Sequence, residues 1–93
     1  MAFGEVVRAR RTELAIGLND FAERLGISPG YWSRIERNLD KPPSDEVVER
    51  AAAILGIPLD RMFVEAQRLP PDMRKDMGQV VLAYRRLRSI RKS

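Results

Sequence analysis

Arg34 and Arg37 lie three residues apart, with Ser33 beside the first and Gly30 one turn earlier. An arginine presents a planar fork of donors that fits the paired acceptors of a guanine edge, and it fits a phosphate equally well. A serine hydroxyl hydrogen-bonds several base edges, and a glycine lets a neighbouring surface approach closely. Projected at about 100° per residue, Gly30, Ser33, Arg34 and Arg37 fall within about 100° of arc. That arc carries no acidic residue. Trp32 and Ile35 fall about 60° apart on the opposite side, as the buried edge of a short helix would.

Such a face needs a helix with a sharp start. Ser28 is a good N-cap, and Pro29 takes the first helical position, where its missing N–H costs nothing. The open N–H groups of that first turn can also hold a phosphate. The helix runs to about Arg37, and Asn38 can end it in the left-handed conformation. The preceding helix, from about Leu18 to Leu25, carries Leu18, Phe21, Ala22 and Leu25 at i, i+3, i+4 and i+7. Gly17 precedes it and Gly26 stops it. Only "GIS" separates the two helices, so they meet steeply, with Ile27 turned inward; this is helix-turn-helix geometry.

Helical periodicity extends over the rest of the chain, and no alternating strand pattern appears. A first helix is predicted from Phe3 to Leu14, with Phe3, Val7 and Leu14 on one face. After the loop "LDKPPS", Ser44 caps a fourth helix, Asp45 to Leu55, with Asp45 and Glu46 set against its dipole. Gly56 ends it, a fifth helix begins near Leu59, and from Pro71 the chain is helical again to about Ile90.

The 93 residues suffice for one small domain. They contain no cysteine and no histidine, which removes thiolate and imidazole chemistry, and no carboxylate cluster replaces them as a metal site. No nucleophile–base set and no phosphate-cradling glycine loop is visible, so the sequence argues against an enzyme and implies no cofactor and no metal. No apolar run approaches the roughly 20 residues that span a bilayer, and a cytoplasmic protein without a membrane partner is expected. The net charge of +4 is uneven: residues 1–71 hold ten Lys/Arg against eleven Asp/Glu, and residues 72–93 hold seven against two. A basic tail points to a polyanion nearby or to a solvated face.

The stretches "FGEVVRARRTE", "FAERLGISPGYWSRIERN" and "PPSDEVVERAAAILGIPLD" resemble the helix-turn-helix domain of phage repressors and Cro proteins, the xenobiotic response element family. The resemblance covers residues 3–63. It implies an all-α, lambda-repressor-like five-helix bundle over residues 1–68, followed by a basic C-terminal helix in residues 69–93. It implies double-stranded DNA as partner, with the third helix in the major groove. Base contacts would come from Ser28, Pro29, Gly30, Ser33 and Arg34. Phosphate contacts would come from Leu18, Tyr31, Arg37, Asn38 and Lys41. Leu18 stands where many relatives carry glutamine, and Pro29 and Gly30 have no side chain that reads a base. Readout would then rest on Ser28, Ser33 and Arg34, joined by Tyr31. Arg11 and Glu36 match a pair that forms a partly buried salt bridge in the family; Glu36 lies at the margin of the buried edge, where an ion partner is physically required.

Met73, Met77, Val80, Tyr84 and Leu87 recur at spacings of 4, 3, 4 and 3. This heptad-like stripe reads as a homodimer seam or as a sixth helix packed on the core. The function expected is a sequence-specific transcriptional regulator, a repressor acting as a dimer, with any signal arriving through a protein partner or a regulatory protease. The alternative is a protein-interaction module or antitoxin-like partner that uses the same bundle with little specific DNA binding.

Overall fold

The computed structural model describes residues 2–68, 70–74 and 77–92, and only the backbone of Met77, Gln79, Val80 and residues 88–92. Seven helices follow one another: α1 (Phe3–Glu13), α2 (Leu18–Leu25), α3 (Pro29–Glu36), α4 (Asp45–Leu55), α5 (Leu59–Glu65), α6 (Pro71–Arg74) and α7 (Met77–Lys92). No strand occurs among the described residues.

The first five helices stop in the same way. Ala15, Gly26, Asn38, Gly56 and Gln67 each take a left-handed conformation, with φ of 58°, 77°, 61°, 66° and 59°. The next residue in each case, Ile16, Ile27, Leu39, Ile57 or Arg68, returns its N–H to a carbonyl five positions back at 2.9–3.1 Å. This closure satisfies carbonyls that the helix leaves open and turns the chain sharply. Ile16, Ile27 and Ile57 then pack on the core and fix the direction of the following helix.

One core is shared by α1 to α5. Trp32 and Phe21 are its largest members, fully buried, with ring centroids 5.2 Å apart and planes tilted by 49°. This tilted pairing joins α2 to α3 inside the bend. Val7, Leu25, Ile35, Val48, Leu55, Met62 and Phe63 complete the buried interior. Gly4 permits a close approach of α1 to the end of α3. A Cβ placed there would lie 2.7 Å from the Glu36 carbonyl oxygen and 2.6 Å from Asn38 Oδ1, and closer still to the Ile35 carbonyl. Any larger residue must push α1 away from the end of α3.

Three expectations need correction. Leu14 does not belong to the inner face of α1; the helix ends at Glu13, and Leu14 is exposed as its C-cap. Ser44 stands at the N-cap of α4 without a side-chain cap bond. The carboxylate beside it, Asp45, is drawn instead to Arg74 Nη1 at 2.5 Å and Arg68 Nη1 at 3.3 Å. Those arginines hold the Asp45 carboxyl below the usual carboxylate range, with the Arg74 hydrogen bond as the main cause. Arg68 also donates to the carbonyls of Pro42 and Pro43, and Arg74 lies over the Phe63 ring. The third correction concerns the tail. α6 carries Met73, while Tyr84 and Leu87 belong to α7. The side chains from Val81 to Leu87 are all exposed. The side chains of Met77 and Val80 lie outside the described residues.

Two glycines in helices should respond oppositely to alanine. Gly4→Ala forces backbone groups apart and should destabilise the fold by about 1–3 kcal/mol despite the better helix propensity of alanine. Gly30→Ala meets nothing within 4 Å and should stabilise by up to about 1 kcal/mol. Urea unfolding of both variants checks this; a Gly4→Ala variant as stable as the parent would contradict the close approach of α1 to α3.

Candidate nucleic-acid interface

The Ser28 side chain accepts from the Tyr31 N–H at 3.2 Å and so begins α3. Pro29 follows without an N–H, and the Trp32 N–H is bonded to the Ser28 carbonyl at 3.0 Å. The first turn thus leaves the Gly30 N–H as its open donor, fewer than the cluster expected for a phosphate. Ser28, Pro29, Gly30, Tyr31 and Arg34 are exposed and Ser33 is half-buried, with Gly30, Ser33 and Arg34 on the side away from Trp32 and Ile35. Nothing lies within 4 Å of a Cβ at Gly30, so the surface there is open.

Beneath this face Glu36 is 4% exposed, the one charged residue among the described residues that is buried. Three donors converge on it. Arg11 Nε and Nη2 donate to Oε2 and Oε1 at 2.7 and 2.8 Å, and Trp32 Nε1 donates to Oε2 at 2.5 Å. Arg11 Nη1 also donates to the Ile16 carbonyl at 2.8 Å. The Glu36 hydrogen bond holds the Arg11 guanidinium above its ordinary pKa, against the opposing pull of burial. A charge withdrawn from water needs partners of this kind. The indole donor was not anticipated, although the i, i+4 spacing of Trp32 and Glu36 permits it.

The remaining candidate residues divide by orientation. Leu18 is half-buried and packs on the core, so its side chain does not face outward. The place it occupies is still the N-terminus of α2, where backbone N–H groups and the helix dipole favour an anion. Arg37 is exposed, with Nε near the Ser33 carbonyl at 3.4 Å. Asn38 stands over Gly4 with its side-chain oxygen turned toward α1. Lys41 is exposed just beyond. Arg34 is held by Asp40, with Nε to Oδ2 at 2.9 Å, and this hydrogen bond raises the guanidinium above its ordinary pKa. Asp40 carries no signal in a helical projection, because it comes near Arg34 only through the left-handed turn at Asn38.

Other arginines serve the fold. Arg10 Nε donates to the Leu55 carbonyl at 2.8 Å, and Arg50 Nη1 to the Leu25 carbonyl at 3.1 Å. Each places a cation at the C-terminal end of a neighbouring helix, where the dipole favours it. No group of acidic residues that could hold a metal ion, and no helix long and apolar enough to cross a membrane, occurs among the described residues.

The helix-turn-helix domain family matches residues 2–62. The transcriptional regulator SinR of Bacillus subtilis is 30% identical over 73 residues, which take in 78% of this chain and 66% of SinR. A crystal structure of SinR, the master regulator for biofilm formation, in complex with DNA has a TM-score of 0.59 at 31% identity, covering 66% of this chain and 97% of that one. The structure of the SinR/SinI complex has a TM-score of 0.61 at 25% identity, covering 94% of this chain and 97% of that one.

Removing the buried carboxylate should be costly. Glu36→Ala strands the Arg11 guanidinium and the indole N–H, and should destabilise by about 3–5 kcal/mol in denaturant unfolding. Arg11→Ala combined with Glu36→Ala should cost less than the sum of the two single changes. Strict additivity would show that the pair is not coupled.

Proposed function

From the premise that this chain belongs to the helix-turn-helix domain family, of the Cro and phage-repressor kind, we propose that it is a sequence-specific transcriptional regulator that inserts α3 into the major groove of double-stranded DNA as a homodimer. The observation that carries this reading is the free outer face of α3. It is polar and open, and it is held outward by Trp32, Ile35 and the buried Glu36. Arg34 and Ser33 would read base edges from that face, with Ser28, Pro29 and Gly30 allowing close approach. Tyr31, Arg37, Asn38 and Lys41 would flank it on the phosphates, together with the α2 N-terminus at Leu18. That SinR has been solved with DNA supports the same use of this bundle.

Residues 1–68 would form the DNA-binding unit and residues 69–93 the assembly arm. One recognition helix buries little surface, and two-fold dimers supply the rest. Tyr84 and Leu87 are 61% and 64% exposed and lie one helical turn apart, which suits a seam between two copies. Met73, Met77 and Val80 would extend it. Repression by groove occupancy needs no further domain, and a cytoplasmic location fits. A second reading, an interaction module or antitoxin-like protein that takes its signal from a protein partner, draws on the same exposed residues and on the SinR/SinI structure.

Binding to duplex DNA should weaken steeply with salt, as several phosphate contacts require, and selected sequences should bind about 10³-fold or more above random ones. Arg34→Ala should cost about 1–3 kcal/mol of specific binding with an unchanged melting temperature. Flat salt dependence without sequence preference would favour the interaction module. Independently, Tyr84→Glu with Leu87→Glu should yield a monomer in sedimentation equilibrium. An unchanged dimer mass would place the seam elsewhere.

A further inference from the structure

The carboxylate of Asp40 faces the guanidinium of Arg34 across the turn that ends α3. Arg34 Nε donates to Oδ2 at 2.9 Å and Nη2 to Oδ1 at 3.4 Å. The chain enforces this meeting. Asn38 is left-handed, and the N–H groups of Leu39 and Asp40 both return to the Arg34 carbonyl, at 2.9 and 3.4 Å. The residue that carries the carboxylate is therefore tethered through its backbone to the residue it pairs with.

Only one edge of the guanidinium is used. An arginine has five N–H donors in a planar fork. Asp40 engages the Nε side and one donor of Nη2, which leaves the two donors of Nη1 and the outer donor of Nη2. The outer donors of Nη1 and Nη2 are the end-on pair that meets O6 and N7 of guanine. The Arg34 side chain is half exposed, and an ion pair in that setting adds little to folding. Its larger effect is on direction: an unheld arginine samples many rotamers and reaches phosphates as readily as bases. A carboxylate beside a polyanion also repels it, so Asp40 lowers affinity for DNA in general while sharpening the aim of Arg34.

We infer that Asp40 is a positioning residue for base readout: it grips Arg34 by the Nε edge so that the free end of the fork selects guanine at one position of the bound site. This rests on the reading that α3 enters the major groove.

The test uses the full chain as parent, Asp40→Asn, Asp40→Ala and Arg34→Ala. Preferred duplexes are selected from a random pool with the parent. Binding is then measured to the selected duplex, to versions with each G·C pair replaced by A·T, and to an unselected duplex. The parent should lose about tenfold or more at one G·C pair, and Arg34→Ala should abolish that preference. Both Asp40 variants should reduce it to about threefold or less while binding the unselected duplex as tightly as the parent or tighter, with unchanged melting temperature. A full guanine preference in the Asp40 variants would overturn the assignment. So would a sharper preference, which would make Asp40 a mask over Arg34. If the parent binds specifically but Arg34→Ala alters no base preference, the groove reading fails, and the role of Asp40 fails with it.

Discussion

A carboxylate almost cut off from water decides how α3 sits. Glu36 is buried at the end of that helix, and the two donors of Arg11 and the indole of Trp32 converge on it. A buried charge without partners is far more expensive than one fully bonded, so rotations of α3 that break this cluster are strongly disfavoured. Arg11 fixes the cluster to α1, and Trp32 fixes it to α2 through Phe21. Gly4 lets α1 come close enough for the reach to work. Because the inner side of α3 is specified this tightly, its outer side is specified as well. Ser33, Arg34 and Gly30 face outward because Trp32, Ile35 and Glu36 face inward.

Charge is divided between structure and surface along similar lines. The near balance of residues 1–71 conceals that many arginines have internal duties. Arg10 and Arg50 bind carbonyls at helix ends, Arg11 binds Glu36, and Arg68 binds the proline carbonyls before α4. Among the basic residues left over, Arg34, Arg37 and Lys41 are exposed around α3, and Arg85 and Arg86 are exposed on α7. A net charge near zero over the bundle therefore says little about the potential at the outer face of α3. Local placement decides it.

The main elements were legible in the sequence because each had a physical marker. The Ser28–Pro29 start, the stripe of α2 and the stops at Gly26, Asn38 and Gly56 followed from capping and periodicity; α4 begins where Ser44 predicts, although that serine makes no cap bond. The stops at Ala15 and Gln67 were not legible, because neither residue type signals a left-handed turn; the five-position N–H return imposes it. Leu14 was misplaced because apolar character alone does not reveal where a helix ends. In the site, the helical projection correctly separated the outer face from the buried edge. It missed what depends on tertiary closure: the indole bond to Glu36, the approach over Gly4, and the Asp40 carboxylate brought to Arg34 by the turn between them.

If the outer face of α3, held by the Glu36 cluster, is the surface that meets DNA, it is the part of the molecule a bound duplex should perturb. An amide NMR titration of the full chain with a selected duplex addresses this residue by residue. Shifts should concentrate at Leu18–Asp20 and from Gly30 to Lys41, while Ile57 and Arg61, which line a separate pocket with α1, stay in place. Shifts confined to α5 or α7, with Gly30 to Arg34 unmoved, would contradict that reading.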